Sequence, residues 1–97
     1  MNKRIQKLSL EDTFNSSERF VKLSEECGEL SVEYLKKNKL KKGKYVKDAE
    51  LREAVDVILV ACSIFYEQGG TVEQFKSMVE EKADKWEKKL AVRKKEL

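Results

Sequence analysis

The segment Leu51 to Tyr66, LREAVDVILVACSIFY, constrains the fold most: past Arg52 and Glu53 it is apolar on almost every side, yet Asp56 sits in its middle. A helix that is apolar nearly all round is expected to be buried. An ionised carboxylate in such a setting costs several kcal/mol unless a cation or hydrogen-bond donors compensate it, which makes Asp56 a candidate functional residue. Glu53 precedes it by three residues and shares its helix face. Glu53-Ala54-Val55-Asp56 therefore offers two adjacent carboxylates from an apolar rod.

A second acidic cluster lies upstream in Leu23 to Leu30, LSEECGEL. Glu26 and Glu29 repeat the three-residue spacing, and Glu25 adds a third acid. At about 100° per residue, Phe20, Leu23, Cys27, Leu30 and Tyr34 form an apolar stripe expected to be buried, with Glu26, Glu29 and Glu33 along one edge and Glu25 turned away. If the two helices pack as an antiparallel hairpin, Glu26 and Glu29 meet Glu53 and Asp56 across the seam. Four carboxylates in contact repel one another, so the pattern makes sense mainly as an oxygen-only site for a hard divalent cation.

Ninety-seven residues without a proline, with four glycines and 40% charged side chains, favour one small all-α domain whose modest core makes oligomerisation a fair expectation. Histidine is absent, which removes histidine acid–base chemistry, the usual zinc sites and the Glu-x-x-His di-iron pattern. The formal charge of +3 (21 basic, 18 acidic) is too balanced to point to nucleic acid. Cys27 and Cys62 form no ligand pattern and read as small buried thiols of a reduced, cytoplasmic chain. The amino terminus does not resemble a secretory signal, and the central apolar run is too short and interrupted to span a bilayer.

In chain order, residues 1–12 are expected to form a short helix or arm and the core to span about residues 14–90. Thr13 to Ser17 offers several N-cap candidates, and a long helix should start at Ser16 or Ser17 and end near Lys37. Asn38 to Val46 is a lysine-rich connection, either simply solvated or placed to draw a polyphosphate towards the acidic site. Asp48 is a candidate cap for the next helix, Gly69-Gly70 a stop, and Thr71-Val72-Glu73-Gln74 a capping box. The last helix should bury Val72, Phe75, Met78, Val79, Ala83, Trp86 and Leu90, and its tail, AVRKKEL, should fray. Phe20, Tyr34 and Trp86 are candidates for stacking on a base, and Lys82 and Lys85 for reaching a substrate; core packing and solvation are the plainer roles.

Taken together, Glu25-Glu26-Cys27-Gly28-Glu29 followed by Glu53-Ala54-Val55-Asp56, with the Gly-Gly-Thr turn and a lysine-bearing last helix, resemble the all-α nucleoside triphosphate pyrophosphohydrolases of the MazG type. The resemblance covers roughly residues 20–89. It implies a helical protomer that dimerises or forms a pair of dimers, building four-helix bundles around the acidic site. It also implies Mg²⁺ (or Mn²⁺) on Glu26, Glu29, Glu53 and Asp56, and cleavage of a nucleoside triphosphate between its α and β phosphates. Glu25 or Glu26 would then orient or deprotonate the attacking water. Lys82 matches the lysine of a Lys-x-x-x-Asn element found in many relatives, whereas Trp86 stands where they have asparagine. Phosphoribosyl-ATP pyrophosphohydrolases share the acidic logic, but their Tyr-His after the aspartate is missing from Val57 to Ala61. A non-enzymatic helical module whose basic loop binds an acidic partner is the alternative of a different class.

Overall fold

The computed structural model describes residues 3–96, and their regular structure is four helices: α1 (Lys3–Glu11), α2 (Ser16–Lys37), α3 (Ala49–Glu67) and α4 (Val72–Glu96). Met1 and Asn2 of the expected arm, and Leu97 of the tail, lie outside the described residues. No strand occurs among the described residues, so the all-α expectation holds. α2 and α3 pack as the hairpin, α1 packs on α3, and α4 leaves the far end.

Helix boundaries follow local chemistry, with one departure from expectation. α2 starts at Ser16 and is capped by Asn15, within the expected Thr13 to Ser17 stretch: the Asn15 side chain accepts from Glu18 N at 2.9 Å, while Glu18 Oε1 accepts from Asn15 N at 3.1 Å. The two bonds satisfy donors that the helix start would otherwise leave orphaned. Asp48 does not cap α3 with its side chain. It adopts a left-handed conformation, φ 65°, and only its carbonyl serves the helix, accepting from Leu51 N and Arg52 N. Downstream, Gly69 takes φ 96° and Gly70 N donates to Phe65 O, which closes α3. Thr71 and Gln74 form the expected box, with bonds of 2.9 and 3.0 Å.

The interior differs from the expected apolar stripe. Phe20, Cys27 and Tyr34 are exposed, Leu23 and Leu30 are half-buried, and the buried residues of α2 are Arg19 and Glu26. Arg19 explains the orientation. Its guanidinium donates to Phe14 O at 2.8 Å, to Asp12 O at 3.0 Å and to Ser63 O at 3.1 Å, joining the α1–α2 connection to α3. Those three bonds turn the polar edge of α2 inward. α3 is not buried all round either, because Leu51, Val55 and Ile58 are exposed. Cys62 and Tyr66 form the fully buried apolar centre, and both cysteines are free thiols.

α4 corrects the largest expectation. Phe75 meets Phe65 edge-on, with ring centroids 5.2 Å apart, and stacks near Tyr66 at 6.2 Å. Residues 76–96 are all exposed, including Met78, Val79, Trp86 and Leu90, and the helix continues unbroken through the tail to Glu96. The radius of gyration, 16.5 Å, exceeds the roughly 12–13 Å of a compact chain of this length, as a projecting helix requires.

Candidate metal centre

The hairpin brings Glu26 of α2 to Glu53 and Asp56 of α3. One carboxylate oxygen from each lies within 4.8 Å of the others. The spacing works because residues three apart on α3 share a face, and that face meets the inward edge of α2. Glu26 is buried, Glu53 half-buried and Asp56 exposed, so the site opens to solvent on the Asp56 side. Asp56 was expected in an apolar interior. It is instead the solvent-facing member of the trio, since α3 is covered on one side only.

Glu29 lies close enough to act electrostatically on Glu53, but it is exposed and stands outside the tight trio. Burial, reinforced by the charges of Glu29, Asp56 and Glu26, pushes the Glu53 carboxyl up from its ordinary value. Glu26 moves the other way. Its ion pair with the Lys22 ammonium, Nζ to Oε1 at 3.1 Å, holds its carboxyl below the ordinary value against the opposing effect of burial. Two oxygens, Glu26 Oε2 and Glu53 Oε2, are buried without any hydrogen-bond donor. Neighbouring carboxyls face them, yet an ionised carboxylate can only accept.

Such orphaned acceptors are costly in a folded protein. They are what a hard cation would satisfy, and the donor set, carboxylate oxygens alone, matches Mg²⁺ or Mn²⁺ rather than zinc. The residues present therefore fit the ion that the sequence suggested.

The remaining candidates lie elsewhere. Glu25 is exposed, in a groove shared with Phe14, Ser17, Glu18, Val21 and Lys22. Phe20 is exposed on α2. Lys82 and Trp86 border an apolar groove with Phe65, Phe75, Met78 and Val79 at the start of α4, and Lys85 pairs with Glu81 at 3.7 Å. Within one chain these α4 residues do not join the carboxylates. Just before the basic connection, Lys37 at the end of α2 pairs at 2.9 Å with Glu50, one turn before Glu53. Tyr45 donates to the other Glu50 oxygen, fastening the loop to the start of α3.

Two residues of consequence carried little signal in the sequence. Lys22 reads as one half of an ordinary surface pair four residues from Glu26, and Arg19 as a solvated charge. Only the packing of α1 and α3 buries what they bind. No protein-family model matches the chain, and no curated protein or solved structure matches it either.

Proposed function

We propose that the chain is a metal-dependent nucleoside triphosphate pyrophosphohydrolase of the MazG type, cleaving between the α and β phosphates to release pyrophosphate. The observation that carries this reading is the convergence of Glu26, Glu53 and Asp56 from two helices, with two buried carboxylate oxygens lacking donors. Repulsion among these acids destabilises the metal-free protein, so a site that is only structural has little reason to hold them together.

Glu26, Glu53 and Asp56 would hold Mg²⁺ or Mn²⁺, with Glu29 at the margin. The ion would neutralise the phosphates and acidify a bound water. The chain's own contribution is to fix the acidic oxygens on rigid helices and to leave one side open for a polyphosphate. Glu25, exposed in the groove that Lys22 also lines, or Glu26 of the trio itself would orient or deprotonate the attacking water. No covalent nucleophile is needed.

The reading includes self-association into a dimer or a pair of dimers. The exposed apolar residues of α4, with those of α2 and α3, support it: Phe20, Tyr34, Val55, Ile58, Met78, Val79 and Trp86 would be covered by a second copy. Lys82, Lys85 and Trp86 would then reach a site made with the partner's hairpin.

The test is pyrophosphate release from a panel of NTPs, dNTPs and phosphoribosyl-ATP with Mg²⁺, with EDTA and the Glu53→Gln variant as controls. Release that requires metal and disappears in the variant supports the reading and identifies the base. Release from phosphoribosyl-ATP alone would reassign the substrate. A folded protein that releases nothing from any of them would overturn it.

A further inference from the structure

Lys22 stands at the boundary between the carboxylates and the two recesses that flank α2. Its Nζ contacts Glu26 Oε1 at 3.1 Å, and among the described residues no other ammonium or guanidinium forms an ion pair with Glu26, Glu29, Glu53 or Asp56. The two partners differ in freedom. The Glu26 side chain is 7% exposed and fixed, whereas that of Lys22 is 44% exposed on a flexible stem. The same stem lines a cavity of about 240 Å³ beneath α1, with Asp12, Phe14, Arg19, Leu59 and Val60, and also the groove that holds Glu25. Lys22 therefore has room on either side of α2 when it lets go of Glu26.

We propose that Lys22 is a built-in counter-ion: it occupies Glu26 while the centre lacks a divalent cation, gives up that carboxylate when the cation binds, and then contacts the phosphates of the substrate. The inference rests on the metal-centre reading above. The physical reason is competition. An ammonium satisfies only one of the buried oxygens and leaves Glu26 Oε2 and Glu53 Oε2 without partners. A divalent cation can serve Glu26, Glu53 and Asp56 together, because oxygens of all three lie within 4.8 Å of one another. Two cations sharing one carboxylate repel at close range, and the mobile, half-exposed one yields. A polyphosphate that arrives with the metal brings new anionic oxygens to the same mouth, within reach of the displaced ammonium.

This role predicts effects of opposite sign on two ligands, which a purely structural lysine would not produce. In calorimetric titrations of the intact protein, Lys22→Met should bind Mn²⁺ alone about fivefold more tightly than the wild type, because the internal competitor is gone. The same variant, saturated with Mg²⁺, should bind inorganic tripolyphosphate about tenfold more weakly, because a phosphate ligand is gone. Lys22→Arg keeps the charge and should stay near wild type in the Mn²⁺ titration. Unchanged or weakened Mn²⁺ binding in Lys22→Met would overturn the proposal, as would unchanged tripolyphosphate binding. If the wild type binds Mn²⁺ but releases no pyrophosphate from any nucleotide, the hydrolase reading fails and the two titrations still decide the role of Lys22. If the wild type shows no Mn²⁺ binding that depends on Glu53, both fall together.

Discussion

Phe65 and Phe75 meet edge to face with their centroids 5.2 Å apart, and this contact, with Tyr66 behind it, is what secures α4 to the rest of the chain. An edge-to-face pair contributes about 1 kcal/mol beyond the area it buries. Phe75→Ala should therefore lower stability by about 2 kcal/mol, less than the loss of a fully buried aromatic because Phe75 is only half-covered. Urea unfolding followed by circular dichroism would measure it. If α4 is held in the assembly by a second copy, the loss should grow with protein concentration, because the dimer then unfolds as a unit.

Arg19 is buried, and its guanidinium donates to three backbone carbonyls. Arg19→Met should cost about 3 kcal/mol, since three acceptors lose charged donors in a closed interior. Hydrogen exchange should show α1 losing protection first, because Asp12 O and Phe14 O are its tether. Uniform loss across all four helices would argue against that role.

Glu53 gives the metal-free protein a distinctive pH response. Its carboxyl is raised by burial and by Glu29, Asp56 and Glu26, so the folded state holds the proton more firmly than the unfolded chain does. This group favours folding at low pH, and its contribution is lost as pH rises from the ordinary carboxyl value of 4.5 through the raised one. In EDTA, Glu53→Gln should lack that decline and melt above the wild type at pH 7. Millimolar Mn²⁺ should raise the wild-type melting temperature and leave the variant nearly unmoved.

Glu50 behaves oppositely. The Tyr45 hydroxyl and then the Lys37 ammonium hold its carboxyl down to about 2, from an ordinary 4.5. Its stabilising contribution is complete above 4.5 and disappears as pH falls towards 2. Tyr45→Phe removes the largest cause, so the variant should lose the α2–α3 connection at a higher pH than the wild type does. Amide exchange of residues 44–50 across an acid titration reports this directly.

The all-α class was legible because proline is absent, Gly69-Gly70 and Thr71 punctuate the chain, and apolar residues recur at helical spacing. The pairing of Glu26 with Glu53 and Asp56 was legible for a related reason: a three-residue spacing fixes a shared helix face whatever the packing. Which face of α2 turns inward was not. The Phe20–Tyr34 stripe is as apolar as any core stripe, and the choice was made by Arg19 bonding to carbonyls whose positions depend on the tertiary fold. α4 shows the same limit, since the periodicity of Phe75, Val79, Ala83, Trp86 and Leu90 declares an apolar face without declaring whether its cover belongs to the same chain. Asp48 misled because an aspartate before a helix can cap with its side chain or turn through a left-handed conformation, and Tyr45 and Glu50 favour the second.

Gly70 has an outcome that reaches far beyond its turn. A Cβ at that position would stand 2.2 Å from Phe65 Cε1, so any side chain there must push the ring aside or swing the following helix away. α4 extends about 37 Å from that corner, and a tilt of only 10° at its root would carry the far tip about 6 Å sideways. The angle at which the long arm leaves the body, and hence any register it adopts with another molecule, is governed at its root by one missing methyl group.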